Sequence, residues 1–193
     1  IKNKSDVTFN NNGAWGISAW RIDMSNDSKL YANNNGYSGI WTRVLNVDKS
    51  CSVDVEGNGT KGFSAGTNGG IFFQGNKIKS TIEKGANVTI IKNAGSGIYT
   101  KQQGVCNLTI GSATITNNGT GACNKDGIGA DMGGGVYNVG TMKLDPSVVI
   151  YNNHAANAGD DIYSTVASVT EFGNVGYDWI LDDCDHTIDG WYV

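Results

Sequence analysis

The feature that most constrains this chain is a recurring phrase, a short β-forming run closed by asparagine. It reads Val7-Thr8-Phe9-Asn10-Asn11, Leu30-Tyr31-Ala32-Asn33-Asn34, Val53-Asp54-Val55-Glu56-Gly57-Asn58, Val88-Thr89-Ile90-Ile91-Lys92-Asn93, Ala113-Thr114-Ile115-Thr116-Asn117-Asn118 and Val148-Val149-Ile150-Tyr151-Asn152-Asn153. A second phrase follows each: a glycine, a β-branched residue and usually an aromatic, as in Gly39-Ile40-Trp41, Gly70-Ile71-Phe72, Gly97-Ile98-Tyr99 and Gly135-Val136-Tyr137, with Asp161-Ile162-Tyr163 last. A third alternating run, such as Leu108-Thr109-Ile110 or Met142-Lys143-Leu144, closes several units. Each unit is three short strands, too small to bury a core alone, so the units must stack.

The β-branched markers Ile17, Ile40, Ile71, Ile98, Val136 and Ile162 are spaced like repeats of a solenoid, with loops in the longer intervals. Helical repeats are excluded because the apolar residues alternate with period two, not 3.6. The pattern predicts an all-β parallel β-helix of about six to seven coils, stacked at roughly 4.8 Å per coil. Alternate residues of each strand then point inward, and asparagines at equivalent corners can form hydrogen-bonded ladders. This accounts for the 28 Gly and 23 Asn in 193 residues. Collagen is ruled out by the single proline and by glycine without a triplet period, and disorder by 39% hydrophobic residues.

A net charge of -4 and scattered Lys and Arg argue against nucleic-acid binding. No apolar run approaches the roughly 20 residues of a membrane helix, so no direct membrane insertion is expected. The chain opens at Ile1 within a polar run, and reads as a monomeric domain of something longer.

The phrases Ile115-Thr116-Asn117-Asn118, Gly133-Gly134-Gly135-Val136-Tyr137-Asn138-Val139-Gly140-Thr141 and Ala158-Gly159-Asp160-Asp161-Ile162-Tyr163 resemble the right-handed parallel β-helix repeats of large bacterial surface proteins. These include polymorphic outer-membrane adhesins and repeat modules of cell-wall proteins from gut Gram-positives. The resemblance spans residues 5–165 and implies a right-handed solenoid, secreted or anchored in the cell wall, used for adhesion. It further implies a host partner, with immunoglobulin as a candidate. Residues 1–165 are thus expected to form the repeats. Residues 166–193, with Tyr177, Trp179, Trp191, Tyr192 and the acidic run Asp182-Asp183-Cys184-Asp185, are expected to cap the last coil against edge-to-edge pairing.

The expected function is a non-catalytic binding module recognising a host protein or glycan, such as immunoglobulin or a mucin-type glycoprotein. If Ile40 points inward, Trp41 points outward; the same alternation puts Phe72, Tyr99, Tyr137 and Tyr163 outside, in one column, with Trp20 joining it. Arg43 beside these aromatics has the composition of an interface hot spot. Phe63, in the 59–68 loop, is a further candidate anchor, since loops on a rigid scaffold carry recognition. The alternative is a polysaccharide lyase or glycoside hydrolase using Asp126, Asp131, Asp160 or Asp161 with Lys125 in a groove. An inert spacer is a third reading. His154 and His186 lack zinc spacing, and neither a metal nor a cofactor is expected.

The four cysteines admit three pairings. Cys51 and Cys184 belong to coils too far apart for a bridge, leaving Cys106–Cys123 as the one pair proposed, with Cys51 and Cys184 as buried thiols.

Overall fold

The computed structural model describes residues 1–61, 68–75, 79–101, 106–119, 130–173 and 191–192. Its strands are β1 (Asp6–Thr8), β2 (Ile17–Met24), β3 (Lys29–Tyr31), β4 (Ile40–Val47), β5 (Ser52–Glu56), β6 (Ile71–Phe73), β7 (Lys79–Ile82), β8 (Asn87–Ile91) and β9 (Ile98–Thr100). They continue with β10 (Asn107–Ile110), β11 (Ala113–Thr116), β12 (Val136–Asn138), β13 (Thr141–Leu144), β14 (Val148–Tyr151), β15 (Ile162–Ser164), β16 (Val169–Phe172) and β17 (Trp191–Tyr192). No helix occurs among the described residues, and the ladders between these strands are all parallel.

The six asparagine-closed phrases form one six-stranded sheet in the order β1-β3-β5-β8-β11-β14. The other phrases form the second sheet, where Ile17, Ile40, Ile71, Ile98, Val136 and Ile162 stand in one register row. In the first two units the second and third phrases are one eight-residue strand, β2 or β4; later units split them into two short strands. The second sheet extends past residue 165. β16 pairs with β13 through Val169 to Phe172, and β17 pairs with β15, so these parts of the expected capping segment continue the ladders. Tyr177, Trp179 and Asp182 to Asp185 lie outside the described residues.

The interior is lined by rows of equivalent side chains. Val55, Ile90, Ile115 and Ile150 make one row and Ile40, Ile71, Ile98, Val136 and Ile162 another, all buried. Each contributes about 1.5–3 kcal/mol through burial. These rows hold the sheets together, but apolar burial is non-directional and does not by itself fix which residues stand opposite one another.

A buried asparagine ladder removes that freedom. Each first-sheet strand carries the spacing apolar-x-apolar-x-x-Asn, which places Asn12, Asn35, Asn58, Asn93, Asn118 and Asn153 one above another. Along the ladder the backbone N–H and the side-chain Nδ2 of one asparagine both donate to Oδ1 of the next, at 2.8–3.2 Å. From Asn35 onward, Nδ2 also donates to a strand carbonyl of the unit before, as from Asn93 to Val55 at 3.0 Å. The residue just before each ladder asparagine has positive φ: Asn11 59°, Asn34 57°, Gly57 67°, Lys92 54°, Asn117 54° and Asn152 52°. Asn and Gly tolerate this left-handed conformation best, which explains the Asn-Asn pairs: the first makes the corner, the second the ladder. The marker glycines have a separate reason. A Cβ on Gly39 would lie 2.7 Å from Asn58 Nδ2, and one on Gly97 2.8 Å from Asn118 Nδ2.

Asn93→Ala should cost about 3 kcal/mol, because it strands the amide donors of Asn58 and the Val55 carbonyl inside the protein. Asn12→Ala, at the exposed end of the ladder, should cost under about 1 kcal/mol. Denaturant unfolding of both variants measures the difference; equal losses would show that the ladder does not carry the register.

Candidate functional site

Alternation along β2 and β4 turns Ser18, Trp20, Trp41 and Arg43 to the outer face of the second sheet. Parallel registration then stacks the aromatic rings of the later units on Trp41. Ring centroids lie 6.3 Å apart for Trp41–Phe72, 5.5 Å for Phe72–Tyr99, 4.6 Å for Tyr99–Tyr137 and 5.5 Å for Tyr137–Tyr163, with interplanar angles of 6–13°. Five of the expected site residues are therefore brought together as a column. Its rings cover one another's faces, so the interior members present edges to the outside. Phe72, expected to be accessible, is 5% exposed between Trp41 and Tyr99 and stabilises the column instead of offering a contact.

Trp20 is not in this column. Ser18 is the residue registered with Trp41, and Trp20 stands two residues farther along the strand, where the Arg43 guanidinium lies 3.9 Å from its ring centroid. The place at the head of the column is taken by Trp15, 6.1 Å from Trp41 and packed edge-on against Tyr37 at 5.2 Å. Sequence reasoning misses Trp15 because it precedes the marker Gly16 instead of following the marker isoleucine. Trp15 is 36% exposed and Trp20 57%, and these are the exposed aromatic side chains among the described residues. Beside them Arg21 bonds Asp23 at 2.6 Å, and that hydrogen bond holds the Asp23 carboxyl below its usual range. Among the described residues Arg43 forms no ion pair, leaving its charge to the Trp20 face and to whatever approaches.

The carboxylates of the enzymatic alternative have structural partners where they are described. Asp161 is fully buried and accepts from the backbone N–H and Nδ2 of Asn153 at 3.3 and 2.8 Å. Asp160, also buried, accepts from the Ala155 N–H at 2.7 Å, with His154 3.7 Å away. Asp131 accepts from Asn157, while Asp126 and Lys125 lie outside the described residues, as does Phe63. An open groove of about 550 Å³ lies along Glu83, Lys84, Lys143, Asp145 and Glu171, but its charges are largely neutralised in the pairs Lys84–Asp145 and Lys143–Glu171.

Cys51 and Cys106 are free and buried. Burial pushes the Cys106 thiol up to about 11; Cys123, the other half of the expected bridge, lies outside the described residues. No protein-family model, curated protein or solved structure matches the chain.

The column has a pH signature. Burial, reinforced by the neighbouring Tyr137, pushes the Tyr99 phenol up to about 12; burial also raises Tyr137, with Tyr163 and Asp131 adding to it. An unfolded tyrosine ionises near pH ~10. Between that value and about 12 the unfolded chain binds fewer protons than the folded one, so the tyrosine contribution is complete below pH ~10 and lost as pH rises. Phenolate absorbance should show a native-state step near pH 12 that Tyr99→Phe removes, and the variant should flatten the fall in stability over that window. A wild-type slope unchanged in the variant would contradict the assignment.

Proposed function

We propose that the chain is a right-handed parallel β-helix serving as a non-catalytic binding module, displayed outside the cell, that recognises a host macromolecule such as immunoglobulin or a mucin-type glycoprotein. The solenoid reading is supported by the in-register parallel ladders of both sheets. Its handedness follows the strong preference of parallel crossovers for the right-handed sense. Display at a cell surface rests on the resemblance to bacterial surface repeats.

The observation that carries the binding reading is the group on the first two coils: Trp20 under Arg43, with Trp15, Tyr37 and Trp41 alongside. Trp, Tyr and Arg dominate interface hot spots because they combine large apolar area with few degrees of freedom and a polar handle. The rigid ladder beneath fixes these side chains before any partner arrives, which lowers the ordering cost of binding. Tyr99, Tyr137 and Tyr163 act here as the spine that extends the platform. Structural partners for Asp131, Asp160 and Asp161 favour binding over catalysis.

Binding of the chain to immobilised immunoglobulin and to mucin glycoprotein tests this. Trp20→Ala and Arg43→Ala should each weaken a confirmed interaction roughly tenfold to thirtyfold, as expected for hot spots. Lys84→Ala, on the separate groove, should leave it unchanged. Retention of wild-type affinity by both variants, or binding to neither partner, would overturn the proposal.

A further inference from the structure

Within the aromatic column tyrosine stands on tyrosine at two steps. Tyr99 and Tyr137 are registered neighbours on β9 and β12, and Tyr137 and Tyr163 on β12 and β15. The Tyr99–Tyr137 pair is the tighter, with centroids 4.6 Å apart and planes 6° from parallel, against 5.5 Å and 13° for Tyr137–Tyr163. Tyr31 and Tyr151 have no such neighbour in their sheet: Tyr31 is registered with Thr8 and Asp54, and Tyr151 with Thr116.

A phenol that loses one electron and one proton becomes a phenoxyl radical, with its spin shared by the ring carbons ortho to the oxygen. Two such radicals join through those carbons when they are held together. The fold supplies that proximity. Registered residues on parallel strands send their side chains in one direction, so near-parallel rings 4.6 Å apart bring the ortho carbons of Tyr99 and Tyr137 side by side. The rest of the approach is a turn of each ring about χ2, which is a soft torsion in tyrosine. Burial raises both phenols, so each carries the proton that oxidation removes. Both rings are half-buried, which leaves their outer edges open to an oxidant.

We propose that Tyr99 and Tyr137 are an oxidative cross-linking site, where a one-electron oxidant of the haem-peroxidase class, fed by hydrogen peroxide, joins adjacent coils through dityrosine. Each phenol gives up one electron and one proton, and one C–C bond forms between the two ortho carbons. The hydrogen on each coupled carbon then moves to its own oxygen, restoring two aromatic phenols. The two electrons and two protons reduce one hydrogen peroxide to two waters. The bond would span the longest interval between markers, Ile98 to Val136, where a covalent tie removes the most freedom from the unfolded chain. The site stands apart from the binding reading, since neither Trp20 nor Arg43 takes part in it.

The test treats the dilute full chain with hydrogen peroxide and a haem peroxidase. The expected product is a monomer that has lost two hydrogens, shows dityrosine fluorescence, and gives on proteolysis a peptide pair linked through Tyr99 and Tyr137. Tyr137→Phe keeps the stack, as Phe72 does in the same column, and should abolish the intrachain bond. Tyr99 and Tyr163 are then left two coils apart, about twice the ~4.8 Å strand spacing. Tyr163→Phe should leave the Tyr99–Tyr137 product at the wild-type yield. In denaturant, where registration is lost, the yield of that product should fall roughly tenfold or more. Absence of dityrosine in the folded chain overturns the proposal. So does a bond that maps mainly to other tyrosines, that persists in Tyr137→Phe, or that forms equally well in denaturant.

Discussion

The structure depends on one constraint, that each ladder asparagine must find its acceptor in the next unit. Apolar burial supplies most of the favourable free energy, but it is non-directional and tolerates alternative alignments. A buried amide left without partners costs about 1–3 kcal/mol, and a slip of register would strand several at once. The ladder therefore chooses among arrangements that the valine and isoleucine rows would accept. Two local features result from it: a left-handed residue just before each asparagine, and a glycine wherever the next asparagine's Nδ2 closes on the marker segment. Lys92 is the exception in the first set, a long side chain at φ 54°, with its Nζ held 2.9 Å from Glu56.

The aromatic column is a consequence of the same registration. Strands separated by about 4.8 Å bring equivalent rings into near-parallel contact, and each such pair adds about 0.5–1.5 kcal/mol beyond its buried area. Stacking also consumes the faces that a ligand would use. Phe72 shows the result, since it sits on the outer side of the sheet and is still buried. Trp15 and Trp20 keep open aromatic surface, and on the proposed reading the stacked rings of the later units support it.

Much of this is legible in the sequence. Alternation and the recurring phrases identify the strands of both sheets, and the markers Ile17 through Ile162 fall into one register row. Trp41, Phe72, Tyr99, Tyr137 and Tyr163 stand in one column for the same reason. The features that escape are finer than the period. In the first two units the phrase reads to Asn11 and Asn34, yet the ladder uses Asn12 and Asn35, because the corner consumes one residue in the left-handed conformation. Residue type aligns Trp20 with Trp41 whereas the register pairs Ser18 there, and composition cannot distinguish two outer positions on one strand. Accessibility is the least readable property, since alternation says which side of a sheet a ring occupies and not what covers it.

Asp161 shows how one change of residue type closes an asparagine ladder. An asparagine carries donor and acceptor together, so a row of them can be prolonged in either direction; an aspartate accepts and stops. Placing that aspartate at the marker position, where other units have glycine, also fills the space a following asparagine would need. The asparagine ladder thereby closes at Asp161 by chemistry and shape together, while the second sheet carries on past it through β16 and β17.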